Sequence, residues 1–201
     1  MTNKSIKNSI GRPKTFEKDD VIKLAMYHFW EHGYDNTSLD DLLVAMGIKK
    51  SSFYRTFKSK EEIFSLSLHL YREETFQLLT HLKNEIGAKQ TLIFLIKDTI
   101  EQLTINGKVK GCLLMNSGKE CYLKHPHLSN QIHLELEEFT EFITQFINEA
   151  KKNNEIKNTM DNKKLAIRFL TLYNGIVMML QAKNDMKIID DLLSFVEELL
   201  I

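Results

Sequence analysis

Residues 38–58 read SLDDLLVAMGIKKSSFYRTFK, and this stretch decides the fold of the N-terminal part of the chain. Two overlapping pairs, Thr37 with Asp40 and Ser38 with Asp41, have the spacing of a helix N-cap followed three residues later by an acid. A glycine then interrupts the helical pattern, and two phenylalanines four residues apart follow it. The stretch therefore predicts two short helices joined by a turn, with the proportions of a helix-turn-helix.

The second helix of such a pair enters the major groove of DNA, and the helix before it touches the DNA backbone. The side chains around the second predicted helix suit this work. Lys, Ser, Thr and Tyr can contact phosphates, and Arg can form a bidentate hydrogen bond to guanine. The residues in question are Lys49, Lys50, Ser51, Ser52, Tyr54, Arg55, Thr56 and Lys58. An ordinary solvated helix of mixed charge is the competing interpretation.

The rest of the chain also favours helices. Its 201 residues include only two prolines and eight glycines, beside many Leu, Ile, Lys and Glu, which favours an all-α protein. Ahead of residue 38, the pattern predicts a helix over Lys18–His32 that ends at Gly33. Beyond residue 58, it predicts helices over about 60–83, 88–104, 113–120, 127–153, 162–183 and 186–200.

Charge is unevenly distributed along the chain, although the net charge is zero. Residues 1–60 carry 11 Lys and Arg against 7 Asp and Glu, whereas residues 61–201 carry 16 against 20. A basic N-terminal third indicates a polyanionic partner, although chance clustering would look the same. We predict three parts, which are a flexible basic arm over 1–15, a DNA-binding domain over 16–62 and a helical domain over 63–201.

Several classes of protein are disfavoured. We expect neither a secretory signal nor an apolar run long enough to span a bilayer, and the two cysteines are too few for a disulfide framework. A cytoplasmic protein without a membrane partner is therefore expected. We find no common catalytic or phosphate-binding motif, so we expect no enzyme and no cofactor. No metal is expected either, because no established zinc spacing fits Cys121, His125, His127 and His133.

The N-terminal pattern resembles a known family. The residues that carry the resemblance are Ile22, Ala25, Phe29-Trp30-Glu31-His32-Gly33-Tyr34, Thr37-Ser38-Leu39-Asp40-Asp41-Leu42, Ala45-Met46-Gly47-Ile48-Lys49-Lys50-Ser51-Ser52-Phe53-Tyr54 and Phe57-Lys58-Ser59-Lys60-Glu61-Glu62. They are similar to the DNA-binding domain of the TetR/AcrR family. The resemblance implies a homodimer that reads a near-palindromic operator in double-stranded DNA. It also implies a C-terminal domain that binds a small-molecule effector and releases the DNA, as a repressor rather than an activator.

The resemblance also assigns roles to residues. Positions where the family contacts phosphates are occupied by Thr37, Ser38, Lys50, Ser52, Tyr54 and Lys60. Positions where base contacts vary between members are occupied by Ser51, Arg55 and Thr56, so the operator sequence stays open. The basic arm adds Arg12, in a Gly-Arg-Pro-Lys segment of the type that lies in a narrow A·T-rich minor groove. An unstructured solubilising tail is the equal alternative.

The C-terminal domain is where the resemblance places dimerisation and ligand binding. The predicted helix 162–183 is apolar nearly all round, so more than one neighbour must bury it, and the resemblance places the family's dimer interface on this helix and the helix 186–200. An ordinary intrachain core is the alternative. A pocket for an apolar or aromatic molecule would lie among the helices of 88–180. Its candidate lining residues, each of a type that is more often core, are Phe94, Cys112, Met115, Phe139, Phe142, Phe146, Tyr173 and Met178.

Two alternative functions remain. Gly111-Cys112-Leu113-Leu114-Met115-Asn116 resembles a segment of one branch of the family, in which the cysteine answers oxidants or electrophiles. A sensor thiol needs a lowered pKa and solvent access, and the positive charge could come from Lys108, Lys110 and Lys119. A small buried hydrophobe is the plainer interpretation of Cys112. The other alternative is a helical adaptor that does not bind DNA and leaves the basic face unused.

Overall fold

The computed structural model describes residues 17–106, 109–183 and 189–201. Within these ranges the chain forms nine α-helices and no strand, which confirms the predicted all-α class. The helices are α1 Lys18–His32, α2 Leu39–Met46, α3 Lys50–Thr56, α4 Lys60–Ile86, α5 Ala88–Asn106, α6 Leu113–Cys121, α7 Pro126–Lys152, α8 Asn162–Lys183 and α9 Ile189–Leu199. The predicted arm, with Arg12, lies outside the described residues, as does Lys108.

The turn between α1 and α2 is built by local signals that the sequence contains. Gly33 ends α1 with a φ of 80°, a backbone conformation that L side chains rarely adopt. Of the two possible cap pairs, the structure has Ser38 with Asp41. Ser38 Oγ accepts from the Asp41 N–H at 3.1 Å, and the Asp41 carboxylate accepts from the Ser38 N–H at 2.9 Å. This capping box fixes where α2 begins.

Aromatic side chains hold the N-terminal helices together. Phe29 of α1 packs edge-to-face on Phe64 of α4, with ring centroids 4.8 Å apart. Phe53 of α3 is fully buried and lies 5.4 Å from the ring of Phe57. Helix α4 runs without a break from this core into the C-terminal part of the chain. The domain boundary at residues 62 and 63 falls inside α4 and stays a prediction.

The C-terminal part packs around α7, which contacts α4, α5, α6 and α8, while α9 lies against α5 and α8. Helix α8 corrects the expectation that no apolar run is long enough to span a bilayer. Its stretch Asn162–Ala182 has a mean hydropathy of 1.4 and is long and apolar enough to cross a bilayer by length and composition. Core packing accounts for one face, because Leu165, Phe169 and Leu180 are buried within the chain. Its opposite face is also partly apolar and is exposed.

Candidate nucleic-acid interface and ligand cavity

Helix α3 and its N-cap Lys49 present five of the predicted DNA-contacting side chains to solvent. Its buried side chain, Phe53, anchors one face in the core, and the opposite face carries the exposed residues Lys49, Lys50, Ser51, Tyr54 and Arg55. Ser52 and Thr56 are half-buried, and Thr56 Oγ1 donates to the Ser52 carbonyl at 3.1 Å. Among the described residues, no ion pair occupies the charged groups of Lys49, Lys50 or Arg55, so all three are available to a polyanion.

Three residues predicted to contact phosphates instead support the α1–α2 turn. Thr37 is only 1% exposed, and its hydroxyl donates to the Gly33 carbonyl at 2.6 Å, so its side chain faces the core and not a phosphate. Lys60 Nζ donates to the carbonyls of Tyr34 and Thr37, both at 2.9 Å, which leaves one of its three N–H groups. Ser38 is exposed, but its hydroxyl serves the capping box. The structure thus corrects the assignment of Thr37 and gives Lys60 a structural role.

Helix α6, in the C-terminal part of the chain, is hydrogen-bonded to the same turn through Glu120. The Glu120 carboxylate accepts from the backbone N–H groups of Tyr34 at 2.9 Å and Asp35 at 2.7 Å. Gly33 permits this approach, because a Cβ there would lie 3.0 Å from the Glu120 carboxylate oxygens. Sequence analysis missed Glu120, since its partners lie more than 80 residues earlier in the chain.

A second contact joins the α6–α7 turn to Asp35. Lys124 Nζ lies 2.7 Å and His125 Nε2 lies 2.6 Å from the Asp35 carboxylate oxygens. These hydrogen bonds lower the pKa of the Asp35 carboxyl, and the one from Lys124 has the largest effect. Two of the histidines considered as metal ligands therefore have other partners: His125 pairs with Asp35, and His133 pairs with Glu137 along α7. In the part of the chain that the structure describes, no group of three or more side chains could hold a metal ion.

The beginning of α6 is also tied to α1. Trp30 Nε1 donates to the carbonyl of Gly111 at 3.0 Å, immediately before Cys112, which is the N-cap of α6. The Trp30 ring packs edge-to-face on Tyr71 of α4, with centroids 5.0 Å apart. Both ends of α6 therefore contact the N-terminal helices.

A cavity of about 330 Å³ lies between α4, α5, α6, α7 and α8. Its walls are mostly apolar, and no charged side chain lines it among the described residues. The lining residues are Tyr71, Thr75, Leu95, Cys112, Met115, Leu136, Phe139, Thr140, Ile167, Leu170, Thr171, Tyr173 and Asn174. Four of the eight predicted lining residues are among them, namely Cys112, Met115, Phe139 and Tyr173.

The other four predicted residues lie outside the cavity wall. Phe142 stacks on Phe76 of α4 with centroids 3.9 Å apart, and Phe146 is buried in the core. Phe94 is half-buried in α5, and Met178 lies on the exposed side of α8. Residue type did not separate these from Phe139, because the direction in which each side chain leaves its helix decides what it contacts.

Cys112 lies in the cavity wall but is not an activated thiol. Burial raises its pKa, and hydrogen bonds from the backbone of Met115, the Tyr71 side chain and the backbone of Leu114 oppose the rise. Among the described residues, no lysine contributes to the shift in the Cys112 pKa, and Lys110 Nζ lies over the Trp30 ring, 5.6 Å from its centroid. The thiol therefore lacks the lowered pKa that a sensor needs, and the structure agrees with the plainer interpretation of Cys112 as a small buried side chain. Burial likewise raises the pKa of Cys121 to about 11.

Comparison with known proteins matches both parts of the chain. Residues 21–65 match the family model "Bacterial regulatory proteins, tetR family", and residues 88–196 match "Tetracyclin repressor-like, C-terminal domain". Over 66 residues, the chain is 46% identical to the HTH-type transcriptional repressor ComR of Escherichia coli (strain K12). That match covers 33% of this chain and 31% of ComR.

Solved structures share the whole fold. Reduced NemR of E. coli has a TM-score of 0.78 at 17% sequence identity, with 90% of this chain and 94% of NemR covered. A cysteine mutant of the TetR family regulator CifR, bound to 26-bp double-strand operator DNA, has a TM-score of 0.75 at 23% identity. The match covers 94% of this chain and 98% of CifR.

Proposed function

Since the chain belongs to the TetR family of DNA-binding transcriptional regulators, we propose that it is a cytoplasmic repressor that leaves its operator when a small uncharged molecule fills the cavity. One observation carries this proposal. Helix α6 has the cavity at its N-terminal end, through Cys112 and Met115, and the α1–α2 turn at its C-terminal end, through Glu120. A helix of nine residues moves as one body, so displacement at one end reaches the other.

The turn that α6 holds sets the direction of the recognition helix. Helices α2 and α3 follow the turn directly, and Lys60 ties the turn to the start of α4. In a dimer, two recognition helices must match half-sites about 34–36 Å apart. A rotation of each N-terminal unit changes this separation and therefore lowers operator affinity without altering α3 itself.

Dimerisation through α8 and α9 is supported by their exposed faces. Ile167 and Met178 are exposed on α8, and Phe195 is exposed on α9. Charges on the two helices are opposite: exposed Lys164 and Arg168 lie on α8, and α9 carries the exposed acids Asp191, Glu197 and Glu198. A two-fold interface uses each patch twice, so basic α8 can face the partner's acidic α9.

Substitutions on α3 test the DNA-binding assignment. Lys50→Ala is expected to weaken binding to operator and random DNA alike, and to reduce the slope of log affinity against log salt by about 0.9, because one phosphate contact is lost. Arg55→Ala is expected to lose about 1–3 kcal/mol of discrimination between the operator and a scrambled duplex, because a base contact is lost. Fluorescence anisotropy titrations at several salt concentrations measure both.

Lys97→Ala is the matched control, since Lys97 is an exposed lysine on α5 and the same charge is removed. It should leave both the slope and the discrimination unchanged. If Arg55→Ala kept full discrimination, base reading would have to come from other residues.

A repressor that senses electrophiles through Cys112 is the second candidate, because its thiol lines the cavity that an entering molecule would reach. Cys112→Ser is then expected to abolish the release of operator by quinone or hypochlorite, while Cys121→Ser, buried outside the cavity wall, should retain it. Because burial raises the Cys112 pKa, the thiolate is scarce at neutral pH, and labelling should accelerate about tenfold per pH unit below the pKa. Unchanged release by Cys112→Ser would eliminate this candidate.

A further inference from the structure

The polar atoms of the cavity wall have unequal hydrogen-bonding capacity left for a ligand. Thr75, Thr140 and Thr171 each donate their hydroxyl hydrogen to the carbonyl four residues earlier on the same helix, at 2.7–2.8 Å. A hydroxyl has one hydrogen and two lone pairs. Each of these threonines therefore has acceptor capacity left but no donor.

The two cavity tyrosines have also used their hydrogens. Thr99 Oγ1 donates to the Leu95 carbonyl at 2.9 Å, so in its 3.3 Å contact with Tyr173 the tyrosine hydroxyl is the donor. The Tyr71 hydroxyl lowers the pKa of the Cys112 thiol, as a donor to the sulfur does. Because a thiol is a weak donor, Tyr71 donates to the sulfur in this pair.

Asn174 is the remaining amide in the wall. Its Nδ2 donates to the Leu170 carbonyl at 2.7 Å, which leaves one N–H and a carbonyl oxygen without a partner among the described residues. Most of the hydrogen-bonding groups still free in the cavity wall are therefore acceptors, and no charged side chain lines the cavity among the described residues.

We propose that the effector is an uncharged aromatic molecule that brings its own hydrogen-bond donor, such as a phenol or a hydroquinone, and that this cavity discriminates against acceptor-only and anionic analogues. The inference rests on the proposed function, in which this cavity binds the effector. A phenol hydrogen can satisfy the free oxygens of Thr140, Thr171 or Asn174. An ether, quinone or carboxylate oxygen faces lone pairs at the threonines and loses its water there without compensation, because the one free N–H in the wall is that of Asn174.

Three probes of similar shape test the proposal, which are 1-naphthol, 1-methoxynaphthalene and 1-naphthoate. Titration calorimetry on the 201-residue chain is expected to show 1-naphthol binding at least about tenfold more tightly than 1-methoxynaphthalene, because the ether lacks the donor, and no binding of 1-naphthoate. The double variant Thr140→Val/Thr171→Val removes two acceptors while keeping side-chain shape. It should lower the affinity for 1-naphthol by at least about threefold, although the Asn174 oxygen stays available, while the affinity for 1-methoxynaphthalene should change less than about twofold.

Thr91→Val is the matched control. Thr91 is a buried threonine outside the cavity wall, and its hydroxyl makes the same kind of bond, to the Gly87 carbonyl at 2.8 Å. It should leave all three affinities unchanged. Equal affinities for 1-naphthol and 1-methoxynaphthalene in the wild-type protein would overturn the inference but leave effector binding standing. Failure of every probe to bind would overturn effector binding in this cavity, and the inference with it.

Discussion

Met178→Asp is expected to turn the protein into a monomer and to lower its affinity for the complete operator by at least about 100-fold. Met178 lies on α8 and is 56% exposed, although its neighbours on the buried side of the helix are fully packed. In the proposed interface an aspartate here is a buried charge without a partner. Operator affinity falls further than dimer contacts alone would suggest, because each subunit then binds its half-site without the high effective concentration that the partner provides.

Light scattering coupled to size-exclusion chromatography gives the oligomeric state, and anisotropy gives the operator affinity. Leu78→Asp is the matched control, because Leu78 is an apolar residue of α4 with a similar exposure of 52%. It should stay dimeric and bind normally. Binding to a single half-site should be equal in the wild-type protein and Met178→Asp, which shows that α3 is intact. A Met178→Asp protein that remained dimeric would place the interface on another surface.

The helices could be predicted from the sequence because their signals are local. Ser38 and Asp41 are three residues apart, and the apolar spacing that defines each helix repeats within a few turns. The exposed face of α3 followed from two phenylalanines four residues apart, Phe53 and Phe57, which are both buried. For these features, a short stretch of chain contains both partners of every interaction.

The support of the site could not be predicted, because its partners are distant in sequence. Nothing around Glu120 indicates that its carboxylate accepts from the backbone of Tyr34 and Asp35. Thr37 has the residue type of a phosphate ligand, yet the path of the turn buries it. The cavity could not be predicted in full for the same reason, since five helices contribute residues to its wall. The wall also includes threonines, which their residue type alone did not identify as lining residues.

Arg72 is a further residue whose role the sequence did not reveal. Of the substitutions proposed, its replacement is expected to destabilise the protein most. Its side chain on α4 is buried, with the whole residue 6% exposed, and Nε lies 3.0 Å from Glu135 Oε2 of α7. The guanidinium also pairs with Glu73 at 3.0 Å and with Glu138, so one cation serves three carboxylates. It lies 5.5 Å from the Phe76 ring, which packs on the cavity residue Phe139.

Arg72→Met keeps the length of the side chain and removes the charge, which leaves the largely buried Glu135 carboxylate without its cation. Loss of one partner of a buried ion pair costs about 3–5 kcal/mol of unfolding free energy. Urea denaturation at one fixed protein concentration measures the loss, since the proposed dimerisation would contribute to apparent stability. Adding Glu135→Gln to Arg72→Met should recover part of it, because the stranded charge is removed.

Lys23→Met provides the comparison on the surface. Lys23 pairs with Glu74 at 2.6 Å, but both side chains are substantially exposed, so the loss should stay below about 1 kcal/mol. Both are ion pairs of one cation with a carboxylate of another helix, and the Arg72 pair is the more deeply buried of the two. If Arg72→Met lost no more unfolding free energy than Lys23→Met, the contact between α4 and α7 would be held by apolar packing alone. The charge network beside the cavity would then have no part in keeping the ligand-binding helices in register with the helix that leads to the DNA-binding domain.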